Sequence, residues 1–303
     1  MISISDGPKS ILVAGGNDDN SRLNSVVVLS TESSMKNKKI AELPKGIDGR
    51  PSLFLHDDNL LLCGGYGNEN KCLMHENDSW TEHSTLNENR TVTSAVTTAN
   101  GTFIFGGEYS PQTFEFLPRK SKVWQDGRTK IPDGFAAGCT VEVPNRGEIL
   151  LIGGYISGTE TRILKFEIKT QTFQEMKMSL TKEREGHICA RLLDTNVIVI
   201  TGGWYNGNTH DTTELLIVDD ITILMPGNPM NTKRYTHGLA VITINGEDRL
   251  TVFGGNDDND QSIDSVETLN PITREWEVSD LRLKATKYDF GYISLTNEFI
   301  SKL

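Results

Sequence analysis

Basic and aromatic side chains recur along the chain, and they are the residue types best suited to bind another protein. The basic residues are Arg50, Arg90, Arg184, Arg234 and Lys287, and the aromatic ones are Tyr66, Tyr109, Tyr155, Trp204 and Tyr205. Arginine offers paired donors to a carboxylate and stacks on aromatic rings. Tyrosine, tryptophan and arginine are also enriched where binding energy concentrates. These residues predict a site for a protein or peptide partner with acidic residues.

Motifs for catalysis are missing from the sequence. It contains no Gly-x-Ser-x-Gly elbow, no His-Glu-x-x-His pair and no phosphate-binding glycine loop. His187 and His237 each follow an arginine by three positions, so on a strand they point to the opposite face from it. We predict that both histidines are buried and hydrogen-bonded in the core. No catalytic residue, metal site or cofactor is expected.

Acidic residues cluster in two loops near the ends of the chain. Asp18 and Asp19 stand in the first loop, and Asp257, Asp258 and Asp260 stand in the second. Together they would attract a divalent ion if the loops met, but the spacing lacks the glycine-centred pattern of a calcium loop. A solvated acidic rim is the favoured interpretation.

The elements that must position these residues are six apolar runs, each ending in a glycine pair. The pairs begin at Gly15, Gly64, Gly106, Gly153, Gly202 and Gly254, at separations of 49, 42, 47, 49 and 52 residues. A period near fifty residues, with four strand-like segments per unit, is typical of a propeller blade. Glycine in such a position marks close approach of backbones. We therefore expect the pairs to lie where neighbouring blades converge.

The rest of each unit supports the same interpretation. An aromatic residue opens a further strand in four units, at Trp80, Trp124, Phe173 and Trp276. No 3.6-residue periodicity persists, so almost no helix is predicted. The pattern resembles the kelch repeat over essentially the whole chain, through the six glycine pairs, these aromatics and the Arg-x-x-His starts at Arg184 and Arg234.

The resemblance implies one domain, residues 1–303, folded as an all-β, six-bladed propeller with four antiparallel strands per blade. It also implies that the loops carrying the basic and aromatic residues emerge on one face. The expected first strands cover residues 50–56, 90–96, 133–140, 184–190, 234–241 and 287–295. The last of these would complete the first blade from the C-terminus. The alternative inner strand for that blade is Ile2-Ser3-Ile4.

Composition narrows the choice of partner. The net charge of −11 argues against nucleic acid, and no apolar run is long enough to cross a membrane. No signal peptide is visible, so a cytoplasmic location is expected. Cys63 and Cys72 flank one predicted hairpin and could pair, but buried free thiols are favoured for all four cysteines, Cys139 and Cys189 included.

The function predicted from the sequence is that of a monomeric kelch-type interaction module, acting as a scaffold or adaptor. Its partner-binding residues are predicted to be the ten basic and aromatic residues named first. Two alternatives remain open at this stage. One is a sugar-processing or other small-molecule enzyme acting at the channel mouth, and the other is an actin-binding or structural repeat protein.

Overall fold

Short strands joined by tight turns form six small antiparallel sheets arranged in a ring. The computed structural model describes residues 7, 9–143, 145–155, 161–192, 195–219 and 222–303. Within these residues only two short helices occur. The prediction of an all-β, six-bladed propeller with almost no helix is confirmed.

The elements follow one another in blade order. The first blade has β1 (Lys9–Ala14) and β2 (Val26–Leu29), then α1 (Ser33–Lys36). The second has β3 (Ser52–His56), β4 (Asn59–Cys63), β5 (Lys71–Glu76) and β6 (Ser79–Thr85). The third has β7 (Ser94–Thr98), β8 (Gly101–Phe105), β9 (Phe114–Pro118) and β10 (Gln125–Asp126).

The remaining blades complete the ring. The fourth has β11 (Cys139–Val143), β12 (Glu148–Ile152), β13 (Ile163–Glu167) and β14 (Thr172–Glu175). The fifth has β15 (Ile188–Arg191), β16 (Val197–Thr201), a small hairpin of β17 (Trp204–Tyr205) and β18 (Asn208–Thr209), then β19 (Thr213–Ile217) and β20 (Ile223–Gly227). The sixth has β21 (Gly238–Ile244), β22 (Glu247–Phe253), β23 (Ser265–Leu269) and β24 (Trp276–Arg282). The chain ends with β25 (Gly291–Thr296) and α2 (Asn297–Lys302).

The ring closes through the C-terminal strand, as predicted. β25 pairs with β1 in antiparallel register from Lys9 opposite Thr296 to Ala14 opposite Gly291. The rival segment, residues 2–4, lies outside the described residues. Because β25 covers the inner edge of β1, this pairing protects the first blade from association with other chains.

The first blade differs from the prediction of four strands. Its sheet has three strands among the described residues, in the order β2, β1, β25. The segment after α1 forms no strand, yet its Ile40 and Leu43 are buried in the core between the first and second blades. Contacts of α1 with β2 and α2 cover part of the outer side instead. Burial of these two side chains thus takes the place of a fourth strand.

Two disulfides join the four cysteines, so the expectation of free thiols is wrong. Cys63 on β4 lies directly opposite Cys72 on β5 and bonds to it within the second blade. Cys139 on β11 bonds to Cys189 on β15, with a Cα–Cα distance of 5.8 Å. The second disulfide links the inner strands of neighbouring blades. Sequence spacing could not indicate it, because strands of separate sheets bring these residues together.

Removal of the interblade disulfide is expected to destabilise the protein. The Cys139→Ser/Cys189→Ser variant should lose about 2–4 kcal/mol of unfolding free energy, because its unfolded chain is less constrained. Urea denaturation followed by tryptophan fluorescence, with and without dithiothreitol, measures the loss. Four thiols reacting with Ellman's reagent in the unfolded, unreduced native chain would contradict the pairing.

Closure by β25 gives a second prediction. Leu295 is 3% exposed and packs between the first two blades. Leu295→Asp should cost at least about 3 kcal/mol, because it buries a carboxylate without a partner. Val278→Asp on β24 is the matched control, since Val278 is 61% exposed. Thermal melts followed by circular dichroism should show a large shift for the first variant and little for the control. Equal shifts would argue against closure by this strand.

Candidate functional site

The glycine pairs and the segments leading into the first strands meet on one face, here called the loop face. The second glycine of each pair donates its N–H to a carbonyl of the following blade, at 2.8–3.2 Å. The residues that supply these carbonyls, here called entry residues, are Ile47, Arg90, Phe135, Arg184, Arg234 and Lys287. The expected convergence of blades at the glycine pairs is confirmed, although the pairs lie just beyond the strand ends.

Crowding at the entry residues explains why glycine is required. A Cβ added to Gly202 would lie 2.3 Å from the carbonyl oxygen of Arg234, and both Gly202 and Gly203 have positive φ. A side chain at either position would meet both a steric clash and a strained backbone. The pairs are therefore structural.

The arginine entry residues are buried, and each holds its own blade together. The Arg184 guanidinium donates through Nη1 to the Gly202 carbonyl at 2.7 Å and through Nη2 to Glu214 Oε1 at 2.8 Å. Arg234 bonds in the same way to Gly254 and Glu267. Arg90 donates through Nη1 to the Gly106 carbonyl and through Nε to Glu115. All three arginines are fully buried. We call each such set an arginine clamp.

The carboxylate of each clamp also receives backbone N–H groups of the segment that enters the blade. Glu267 accepts from the N–H groups of Asn231 and Thr232. Burial alone would raise the pKa of Glu267, but Arg234 and Asn231 lower it below the ordinary value near 4.5. The stabilising contribution of Glu267 is therefore present above about pH 4.5 and is lost as the pH falls below that value.

The other three blades have entry residues that are not arginine. Lys287 is fully buried, and its Nζ donates to the Gly15 carbonyl at 3.3 Å and to Ser25 Oγ at 3.1 Å. Burial lowers the pKa of Lys287 to about 8. In the second and fourth blades the entry residues are apolar, Ile47 and Phe135, and both belong to the hydrophobic core.

These positions correct the predicted cationic surface. Arg90, Arg184, Arg234 and Lys287 are buried and cannot reach a partner. Arg50 is not an entry residue, because Ile47 holds that place in its blade. Asp133, which interrupted the predicted basic set, is exposed and accepts a hydrogen bond from Arg162 at 3.0 Å. The prediction was wrong because the sequence pattern of a basic residue beside a loop does not show whether the side chain points outward or into a blade.

A second circle of residues, missed from the sequence, surrounds the channel inside the entry residues. This inner ring consists of Arg50, Val92, Ala137, Gly186, Thr236 and Asp289, all with φ between 51° and 62°. Hydrogen bonds of 2.7–3.2 Å join the backbones of neighbouring blades around it, with the Gly49 carbonyl accepting from Val92. Five of the six residues are not glycine, so strain is stored at the channel mouth, where strained backbone commonly accompanies function.

Two members of the inner ring are charged. Arg50 reaches across the channel, and its Nη2 donates to the carbonyls of Gly138 at 3.3 Å and His187 at 3.2 Å. Its Nη1 is buried without a hydrogen-bond partner. Asp289, in the first blade, precedes Arg50 in the ring, and burial raises its pKa to about 7, helped by Asp48 and Glu108 and opposed by Arg50.

The predicted aromatic residues divide into exposed and structural ones. Tyr109, Tyr155 and Tyr205 are exposed by 57%, 56% and 36% respectively. Tyr66 is half-buried, donates its hydroxyl to Glu108 and lies beneath the Arg22 guanidinium. Burial and then Glu108 raise the pKa of Tyr66 to about 12. Trp204 is also half-buried, and it forms a backbone bridge to Glu185.

The acidic loops of the first and sixth blades do meet, but through hydrogen bonds. Asp19 Oδ2 accepts from the Ser262 N–H at 2.9 Å and from Ser262 Oγ at 2.7 Å. Asp18 and Asp257 each accept N–H groups of their own loop. No group of three or more acidic, histidine or cysteine side chains among the described residues is arranged to hold a metal ion. The two loops thus help to close the ring on the loop face.

The two histidines are buried, as predicted. His187 Nε2 lies 3.0 Å from the Ile152 carbonyl of the preceding blade, which makes it the donor. His237 Nε2 lies 2.9 Å from Thr201 Oγ1, also in the preceding blade. Burial, followed by nearby arginines, holds both pKa values well below the usual value, so the rings are neutral. Their role is to join neighbouring blades.

Comparison with known proteins supports the fold. No protein-family model matches the chain, and no curated protein matches its sequence. Among solved structures, that of YjhT superposes with a TM-score of 0.67 at 13% identity, covering 82% of this chain and 88% of YjhT. Likeness at this identity establishes the propeller fold. In the described part of the chain, no helix is both long and apolar enough to span a bilayer.

The arginine clamps predict a large effect on stability. Arg184→Ala should cost about 3–5 kcal/mol, because Glu214 would remain buried without its cation. Arg184→Met/Glu214→Leu should recover most of this loss, as an apolar pair at the same place would need no counter-charge. Arg282→Ala, on an exposed outer strand, serves as the control. Urea denaturation provides the measurement, and an unchanged midpoint for Arg184→Ala would contradict the clamp.

Proposed function

We propose that the chain is a kelch-type interaction module that binds a protein or peptide through its loop face. The observation that supports this proposal is an arc of exposed tyrosines. Tyr109, Tyr155 and Tyr205 follow the glycine pairs of three consecutive blades, the third to the fifth, and all three are exposed. Exposed aromatics on neighbouring blades present one apolar surface with polar tips.

Tyrosine suits such a surface for energetic reasons. It buries a large area on binding, loses little conformational freedom and keeps a hydroxyl for hydrogen bonding. The three side chains stand on loops tied to the rigid ring, which is the usual arrangement of binding residues on a scaffold. A partner segment would lie along the arc and cover the three rings together.

The charge of the partner is revised by the burial of the entry residues. The preference for an acidic partner depended on Arg90, Arg184, Arg234 and Lys287, which are buried. Exposed carboxylates of the loop face include Asp19, Glu108, Asp258 and Asp260, and the whole chain carries −11. We therefore propose a partner segment that is basic or uncharged, because the field of the chain attracts positive charge.

Binding is proposed in preference to catalysis because His187 and His237, which lie between blades, have structural roles. His187 and His237 are buried, neutral and hydrogen-bonded between blades, so neither is placed to transfer protons to a substrate.

The two disulfides also indicate the kind of compartment in which the protein is found. Disulfides persist in oxidising compartments, so the two found here favour such a compartment over the cytoplasmic location expected from the sequence.

The tyrosine arc is tested by substitution. Once a partner has been captured with the native chain, Tyr109→Ala, Tyr155→Ala and Tyr205→Ala should each weaken it, by about thirtyfold for an anchor worth about 2 kcal/mol. Melting temperatures should stay unchanged, because the side chains are exposed. Surface plasmon resonance gives the affinities, and an association rate that falls with added salt is expected for a basic partner.

Val123→Ala and Ile272→Ala provide matched controls, because both side chains are exposed and both lie in turns away from the arc. Neither should change the affinity. A partner that binds all three tyrosine variants as tightly as the native chain would refute the proposal. An acidic partner would overturn the assignment of charge.

A further inference from the structure

The guanidinium of Arg50 is a cation in the channel that bonds to carbonyl groups and to no carboxylate of the described residues. Both hydrogen bonds of its side chain go to backbone carbonyls, and Nη1 is buried with no partner. No carboxylate oxygen among the described residues forms an ion pair with it, in contrast to the entry arginines, which bond to glutamates. Arg50 as a whole is partly buried, and a charge that is partly removed from water costs free energy unless an anion or polar group satisfies it.

Arg50 lines a cavity of about 210 Å³ within the channel. The polar part of its wall comes from Ser52, Thr93, Ser94 and Thr140, on the inner strands of three blades or at their start, and the apolar part includes Phe290. Two pairs of hydroxyls face each other, Ser52 with Thr93 at 3.0 Å and Ser94 with Thr140 at 2.9 Å. Each pair has one hydroxyl hydrogen beyond the one it shares, so the wall can donate to a ligand.

From this arrangement we infer that the channel cavity binds a small carboxylate. One carboxylate oxygen accepts from the accessible part of the Arg50 guanidinium, and the other accepts from hydroxyls of the wall. Charge-assisted hydrogen bonds of this kind are stronger than neutral ones, and the negative charge compensates the partly buried guanidinium. The cavity has room for a small ligand such as a short-chain monocarboxylate. The site lies inside the channel and is separate from the tyrosine arc.

Asp289 adds a dependence on pH to this site. The Arg50 N–H donates to the Asp289 carbonyl at 3.0 Å, so the two residues are neighbours in the inner ring. The charged groups around Asp289 are Arg50, Asp48 and Glu108, and burial raises its pKa to about 7. Glu185 and the phenol of Tyr292 are the other titratable groups acting on Arg50. Above pH 7, ionised Asp289 offsets part of the Arg50 charge and repels an anion, whereas below pH 7 it is neutral.

Isothermal titration with sodium acetate tests the inference, with chloride used to hold the ionic strength constant. The native chain should bind one acetate, roughly tenfold more tightly at pH 6 than at pH 8, as the loss of one nearby like charge would give. Asp289→Asn should bind with the tighter affinity at both pH values. Asparagine tolerates the positive φ of this position.

Arg50→Gly should bind no acetate at either pH. Glycine accepts the φ of 53° without strain, and Gly186 already holds the equivalent place in the fifth blade, so this variant should fold. Its melting curve verifies that. Acetate binding by Arg50→Gly that equals the native affinity, or no saturable binding by the native chain, would overturn the inference. So would displacement of acetate by chloride at equal concentration. The Tyr109→Ala and Tyr205→Ala variants should bind acetate normally, which separates this site from the proposed partner surface.

Discussion

A carbonyl group that reaches into the turn of the neighbouring blade governs much of this structure. Each entry residue accepts an N–H from the second glycine of the blade before it, and the approach leaves no room for a Cβ. The pair must be glycine because the contact is made by backbone atoms, which are the same whatever side chain the entry residue carries. Blade order, blade spacing and the shape of the loop face all follow from this repeated contact.

Freedom remains in the side chain of the entry residue. Three blades use arginine with a glutamate from the third strand, one uses lysine with a serine hydroxyl, and two use apolar residues. The type of entry residue must match the type of residue that its side chain contacts. A buried guanidinium needs its carboxylate, whereas Phe135 and Leu164 meet in one apolar cluster. Some blades have a charged entry residue and others an apolar one. The entry position therefore requires a buried side chain with a suitable partner and does not require a charge.

Much of the fold could be predicted from the sequence, because it depends on local signals that repeat. The pattern was visible in the glycine pairs, in the aromatic residues that open outer strands and in the C-terminal segment that supplies β25 (Gly291–Thr296). The roles of Arg90, Arg184 and Arg234 could not be predicted from their own positions. One signal was available, since a glutamate on the third strand of the same unit accompanies each of these arginines, at Glu115, Glu214 and Glu267. The units with Ile47 and Phe135 carry leucine there, Leu73 and Leu164.

Other features depend on contacts between blades, which no local pattern records. The Cys139–Cys189 bond joins two sheets, and the inner ring becomes visible only when six separate turns are brought to one axis. The positive φ of Val92 and Ala137 could not be predicted from the sequence, because neither residue type favours it. Tyr109, Tyr155 and Tyr205 are exposed, whereas four of the five basic residues predicted to lie beside them are buried, which the sequence did not indicate.

The inner ring has a consequence for the field inside the channel. Its hydrogen bonds all run in the same sense, each N–H donating to a carbonyl of the blade before it around the axis. Peptide dipoles that add along a helix here follow a circle, so their vector sum is close to zero. The peptides of the inner ring therefore add almost no net dipole along the channel axis. Among the side chains of the inner ring only Arg50 and Asp289 are charged, with opposite signs. Substitution of Arg50 would therefore make the channel less favourable to anions, and substitution of Asp289 would make it more favourable.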